Sequence, residues 1–203
     1  MTLAHESYEA QARRWPADGH DVLAHFDAHT IVVYQAYRES TGRHAIEHQQ
    51  LGGPDFSFNR MSWIKPNFLW MMYRSGWGTK PGQEITLGLR IRRPFFDRLL
   101  RDAVASSFDP LRHASQRDWK HAVDDSEVRL QWDPDHAPDG AKVARRAVQL
   151  GLRGDALKAL ATTELVEVID MSPFVEAQRA HALAGAPWRA LRTPVEHVFS
   201  PSP

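Results

Sequence analysis

The chain has 203 residues, of which 42% are apolar and 25% are charged, and its 25 acidic residues balance its 25 lysines and arginines. This composition fits one globular domain and excludes wholesale disorder, and the zero net charge excludes binding to nucleic acid through overall attraction. The absence of cysteine excludes disulfide-linked partners, thiolate metal sites and a cysteine nucleophile.

The first part of the chain predicts a polar N-terminal extension over 1–20, followed by the domain itself. Residues 1–20 contain no apolar run of signal-peptide length, and no later stretch approaches the roughly 20 apolar residues of a membrane helix. We therefore expect a cytoplasmic protein without a membrane partner. The next predicted elements are a strand over 30–37, a helix over 39–50, an extended segment over 57–64 and a helix over 65–75.

The second half of the chain continues the mixture of strands and helices. Strands are predicted over 84–92, 127–132, 147–152 and 164–171, and helices over 94–104, 155–161 and 173–183. Half-buried strands interspersed with helices favour an α+β fold, with a mixed or mostly antiparallel sheet and packed helices. We expect a single compact domain over 21–185 and an irregular, proline-containing tail over 186–203.

The segment from Phe56 to Gln83 combines four cations and seven aromatic rings and contains no carboxylate. Cations among flat apolar surfaces suit a ligand that is both anionic and planar, such as a nucleotide or single-stranded nucleic acid. Core packing of the rings and pairing of the cations with acids of 118–139 are the alternatives. The candidate ligand-binding residues are Tyr34, Arg38, Arg60, Ser62, Trp63, Lys65, Trp70 and Arg74.

Two further places carry candidate catalytic carboxylates. The sequence Asp133-Pro134-Asp135-His136 follows a predicted strand, where the acids and the imidazole suit a general base or a hard cation. The Asp-Pro-Asp sequence is more typical of a plain turn, because aspartate accepts backbone hydrogen bonds and proline fixes φ. In a predicted strand, Glu167 shares a face with apolar neighbours, so it is either a semi-buried catalytic acid or part of a solvated edge. The catalytic candidates are Asp133, Asp135, His136 and Glu167.

A short motif at His44, Glu47 and His48 matches the H-x-x-E-H pattern of inverted zinc peptidases. On a helix, the two imidazoles would lie on one face, as a zinc site requires. No later glutamate stands out as a third ligand, so the motif also fits a solvated helix face. A zinc hydrolase is therefore one alternative function.

Four segments together resemble a known family: VYQAYR (33–38), MSWIKPNFLWMMYRSGWGTK (61–80), QWDPDH (131–136) and QLGLRG (149–154). They are similar to the domain-of-unknown-function family 4291, over most of residues 28–180. The resemblance implies a single-domain protein and leaves the activity open.

The order Arg38, Ser62, Glu167 is similar to the arginine–serine–glutamate arrangement of ADP-ribosyltransferases. That likeness implies phosphate binding by the arginine, ribose contacts by the serine and glutamate, and NAD as a possible cofactor, although Ser62-Trp63-Ile64 departs from Ser-Thr-Ser.

Our main expectation is an enzyme acting on or with a nucleotide-like, planar anion. The alternatives are a non-catalytic module that binds a nucleotide or a short RNA, and the zinc hydrolase.

Overall fold

The computed structural model describes residues 3–201, which form an α+β fold. The elements in chain order are β1 (His5–Ser7), α1 (Tyr8–Ala12), β2 (Val22–Phe26), β3 (Thr30–Tyr37), α2 (Glu39–His48), β4 (Ser62–Ile64), α3 (Phe68–Ser75), β5 (Ile85–Arg92), α4 (Arg93–Asp102), β6 (Val104–Ala105), α5 (Gln116–Asp125), β7 (Val128–His136), β8 (Lys142–Leu152), α6 (Gly154–Ala161), β9 (Leu165–Asp170), α7 (Ser172–Leu183), β10 (Arg192–Pro194) and β11 (His197–Phe199).

A five-stranded antiparallel sheet, in the order β11-β2-β3-β5-β9, forms the centre of the fold. Strands β3 and β5 pair along their whole length, from Thr30 opposite Arg92 to Tyr37 opposite Ile85. Both strands are rich in β-branched and aliphatic residues, which pack well on a pleated surface buried on both faces.

A four-stranded sheet, in the order β4-β8-β7-β6, lies beside the first. Its pairs are antiparallel except β6 with β7. The two sheets are connected where β3 reaches β4: the Tyr34 N–H donates to the Lys65 carbonyl oxygen at 2.7 Å, and the Lys65 N–H donates back at 3.2 Å. This bridge fixes the backbone of Lys65 against the central strand of the fold.

Two apolar cores fill the space around the central sheet. The first combines residues of both sheets with α2, α4 and α6, including the fully buried Phe96 and Leu150. The second lies on the other face of the central sheet, where α3 and α7 contribute residues such as Phe68, Met72 and Val175. The helices therefore hold the sheets together by burying their apolar faces.

The predicted α+β class and the mostly antiparallel sheet are confirmed, but several boundaries differ. Helix α3 begins at Phe68 rather than Lys65, because the Asn67 side chain caps it by accepting from the Trp70 N–H at 2.7 Å. The sequence Asp133-Pro134-Asp135 forms no turn. It continues β7 to His136, paired with a longer β8 and with one irregularity after Pro134.

Both ends of the described chain contain regular structure. The tail expected to be irregular contains β10 and β11, which pair with β1 and β2. Strand β2 itself, and helix α5, were not predicted. In the expected N-terminal extension, Tyr8 and Trp15 are buried in the second core. The short strands β1, β10 and β11 have weak local signals and pair with strands far away in the sequence.

Candidate functional site

A cleft of about 830 Å³ opens where the end of β3, strand β4, helix α3 and the β7–β8 hairpin meet. We refer to it as the cationic cleft, because four cations line it. It is lined by Gln35, Ala36, Tyr37, Arg38, Thr41, Asp55, Phe56, Ser57, Arg60, Met61, Ser62, Trp63, Lys65, Met71, Arg74, Pro81, Gly82, Gln83, Gln131 and Gln149. Its volume is that of a typical small-molecule site.

The four cations of the cleft are Arg38, Arg60, Lys65 and Arg74. Within residues 3–201, none of their side chains forms an ion pair or donates to a carboxylate, and the only carboxylate on the lining is Asp55. Asp55 accepts a hydrogen bond from the Ser40 hydroxyl at 2.5 Å. The expected alternative, pairing with acids of 118–139, is not found in the described residues, so the cleft keeps an excess of positive charge.

Lys65 is the buried member of this group. Its side chain is only 5% exposed, whereas the three arginines are on exposed residues around it. No hydrogen-bond acceptor in the described part of the chain contacts its ammonium group. Burial, and to a smaller extent the nearby Arg74, lower the pKa of Lys65 to about 8, and Asp133 acts in the opposite direction. A ligand anion would supply the missing counter-charge.

A hydrogen-bonded network supports one side of the cleft. The Gln35 amide nitrogen donates to the Ser62 hydroxyl at 2.7 Å and to the Trp63 carbonyl oxygen at 3.1 Å. The Tyr37 hydroxyl donates to the Gln35 amide oxygen at 2.8 Å. Desolvation raises the pKa of Tyr37 to about 12, so its phenol stays protonated at neutral pH. These bonds fix β4 relative to β3.

The opposite side carries two glutamines held by one carboxylate. Gln131 and Gln149 lie directly opposite each other on β7 and β8. Both line the cleft, and both donate their amide nitrogens to Asp133, at 2.8 and 2.7 Å respectively. Asp133 therefore lies behind the glutamines and orients them.

Flat apolar surfaces are supplied by Phe56 and Trp63. Trp63 lies opposite Gly151, where an added Cβ would be 3.0 Å from the Trp63 ring and 2.6 Å from the Met61 sulfur. Any larger residue would therefore displace this indole. Glycine at position 151 allows the ring to lie against β8.

Six of the eight predicted ligand-binding residues line the cleft: Arg38, Arg60, Ser62, Trp63, Lys65 and Arg74. The other two predicted residues, Tyr34 and Trp70, do not line the cleft. Tyr34 is completely buried in the second core, packed edge-on against Phe68. Trp70 is 7% exposed and stacks with Tyr73 and His136. Neither ring is accessible to a ligand in the cleft.

None of the four predicted catalytic residues lines the cleft. Asp135 is buried and paired with Arg145 at 2.5 Å. His136 is buried with its ring 3.5 Å from that of Tyr73. Glu167 lies on edge strand β9, where it pairs with Arg90 at 3.0 Å. The arginine–serine–glutamate arrangement is therefore not brought together: Arg38 and Ser62 line the cleft without Glu167.

The histidine motif on α2 does not form a metal site in the described residues. The rings of His44 and His48 stack at 4.0 Å, and His48 Nδ1 contacts the His44 carbonyl oxygen at 2.9 Å. Across residues 3–201, no group of three or more histidines, aspartates and glutamates is placed to bind a metal ion. The zinc-hydrolase interpretation therefore lacks its third ligand.

Sequence reasoning missed the glutamines, Tyr37, Phe56 and Asp55. Gln131 and Gln149 begin two of the segments that carried the family resemblance, and both alternate with core residues along their strands. That alternation was the available signal, because it places an amide on the face opposite the core.

The sequence profile described as Domain of unknown function (DUF4291) matches residues 21–199. The chain belongs to this family. The match extends beyond the expected resemblance at both ends and includes β2, β10 and β11. No curated protein matches the sequence. Among residues 3–201, no helix has both the length and the apolar character needed to cross a bilayer.

Proposed function

We propose that this DUF4291 protein binds a nucleotide-like anion in the cationic cleft. Lys65 and the arginines at positions 38, 60 and 74 hold its phosphate groups, and Trp63 or Phe56 stacks against its planar group. The observation that carries the proposal is that Lys65 lines the cleft, is only 5% exposed, and forms no ion pair or side-chain hydrogen bond within the described residues. An isolated buried charge costs several kcal/mol, which a bound anion offsets.

The size of the cleft favours a mononucleotide or dinucleotide over a short RNA. At about 830 Å³ it falls within the range of sites for single small ligands. Single-stranded nucleic acids are bound in extended grooves with several stacking rings. NAD remains one candidate ligand because it carries two phosphates and a planar base.

Calorimetric titration with AMP, ATP, NAD and a short single-stranded RNA tests the proposal. We expect one of the nucleotides to bind, and Lys65→Met to weaken its affinity at least tenfold, because charge-assisted hydrogen bonds contribute about 1.5–3 kcal/mol each. Lys120→Met is the matched control, since Lys120 is exposed and outside the cleft. Equal affinities of the two variants, or no binding by any nucleotide, would contradict the proposal.

Catalysis on the bound nucleotide is a second candidate function, favoured by the pKa of Lys65. A lysine with a pKa of about 8 is partly neutral near physiological pH and can accept a proton. Lys65→Arg keeps the positive charge but cannot act as a base. We expect this variant to retain nucleotide binding and to lose any turnover followed by phosphorus NMR. Turnover that is equal in the variant and the wild type would exclude Lys65 as the base.

A further inference from the structure

The orientation of Gln131 and Gln149 indicates which kind of ligand group they contact. Asp133 lies two residues after Gln131 on the same face of β7, and opposite it on β8 stands the small Ala147. This arrangement lets both glutamine side chains reach the carboxylate. Gln131 donates to Asp133 Oδ1 at 2.8 Å and Gln149 donates to Oδ2 at 2.7 Å.

An ionised carboxylate only accepts hydrogen bonds, so both amides must turn their nitrogens towards Asp133. Each amide nitrogen keeps one further N–H, whereas neither Oε1 atom has any partner within residues 3–201. No protein group in the described residues donates to these two carbonyl oxygens on neighbouring strands, so both can accept from a ligand in the cleft. Donation to a negative group also polarises each amide and strengthens its oxygen as an acceptor.

We propose that Gln131 and Gln149, oriented by Asp133, select a ligand whose planar group carries hydrogen-bond donors, as aminopurine and aminopyrimidine bases do. This inference rests on the proposed nucleotide binding and assigns the specificity of the same site. A ligand that presents only acceptors there would leave both Oε1 atoms without a donor. Such a mismatch reduces affinity on the order of tenfold to a hundredfold.

The test compares AMP with purine riboside 5′-monophosphate, which has hydrogen in place of the exocyclic amine and no donor on that edge, and with IMP, which has an oxygen there and an N1–H donor beside it. We expect the wild type to bind AMP at least tenfold more tightly than either analogue. In Asp133→Asn, the new amide nitrogen donates to the Oε1 atom of one glutamine. That glutamine then turns its nitrogen towards the ligand, so we expect the ratio of AMP to IMP affinity to fall at least fivefold. Asp18→Asn, an exposed acid outside the cleft, keeps the wild-type ratio.

Gln149→Met serves as a second variant, because it removes one acceptor without altering Asp133, and it should also lower the ratio. Ribose hydroxyls are the other donors of a nucleotide, so 2′-deoxy-AMP and 3′-deoxy-AMP form a separate arm. A preference that depends on a hydroxyl rather than on the amine would overturn the assignment. Equal binding of AMP and purine riboside 5′-monophosphate, with affinity still dependent on Lys65, would overturn this inference alone. Failure of every nucleotide to bind would overturn the proposed function as well.

Discussion

At the scale of single residues, Lys65 shows how a backbone contact places a charge in an unfavourable environment. The bridge to Tyr34 fixes its main chain, and the residue is 5% exposed. Its charge is therefore retained at the expense of stability. Such costs concentrate at functional sites, where a ligand compensates for them.

This charge predicts a distinctive dependence of stability on pH. The pKa of Lys65 is about 8 in the folded protein and 10.5 in the unfolded chain, so between these values the unfolded state binds more protons and stability rises with pH. Below pH 8 both states are protonated, so the dependence on pH ends and the cost of the buried charge is fully present. Between pH 7.5 and 9.5 we expect a gain of about 2 kcal/mol in the free energy of unfolding. Urea denaturation should show this gain in the wild type and not in Lys65→Met, and equal slopes would refute the assignment.

His136 predicts a second pH effect, in the acid range. Burial lowers the pKa of His136 below 6.5, so as the pH falls from 7 towards 5.5 the unfolded state takes up a proton first and the folded state loses stability. His25 acts in the same direction, because burial also lowers its pKa.

His136→Phe keeps a ring against Tyr73, and its stability should fall less steeply on acidification, as followed by urea denaturation. His121→Phe, on an exposed residue of α5, should keep the wild-type slope. A wild-type slope in His136→Phe would rule out this histidine as a source.

At the scale of elements, the strands and helices that sequence predicted well are those with a strong local pattern. Strand β3 was predicted at its exact bounds, and β5 differs by one residue, because alternation and β-branched residues specify them locally. The Asp-Pro-Asp segment failed for the opposite reason. Its turn propensity is local, whereas its strand conformation comes from pairing with β8. The same limit applies to the site. Four cations, Ser62 and Trp63 were named from the sequence and line the cleft, but the acids were assigned without knowing which side chains face it.

Asn67 is the N-cap of helix α3, which carries Trp70 and Arg74. Because a cap is a local sequence signal, its contribution to stability can be tested directly. The Asn67 side chain is buried and accepts from the Trp70 N–H at 2.7 Å. Asn67→Ala should reduce the free energy of unfolding by about 1 kcal/mol, the usual cost of losing an N-cap. Asn59→Ala, on the exposed loop before β4, is the control and should change stability by less than about 0.5 kcal/mol. Equal stabilities in a urea titration would mean that the cap is not needed.

At the scale of the whole molecule, the N-terminal and C-terminal segments of the described chain pair with each other. Strand β1 pairs with β10, and the buried Glu196 accepts from the Phe68 N–H at 2.7 Å, at the start of α3. Burial raises the pKa of Glu196 well above its usual value. The C-terminal segment thus contacts the helix that carries Arg74, and residues before the family match contribute to the same core.

Gln11 is the residue that makes this connection, and it lies outside the matched residues 21–199. Gln11 is fully buried. Its amide nitrogen donates to the Thr193 hydroxyl at 2.8 Å and to the Pro194 carbonyl oxygen at 3.1 Å. Its amide oxygen accepts from the Glu196 N–H at 2.8 Å. Gln11→Ala would leave these buried groups unsatisfied, so we expect a loss of about 2–4 kcal/mol in the free energy of unfolding, measured by urea denaturation. Gln50→Ala, at an exposed position, provides the matched control. Since Glu196 contacts α3, Gln11→Ala should also weaken nucleotide binding several-fold. Unchanged stability would contradict a structural role for the hydrogen bonds of Gln11.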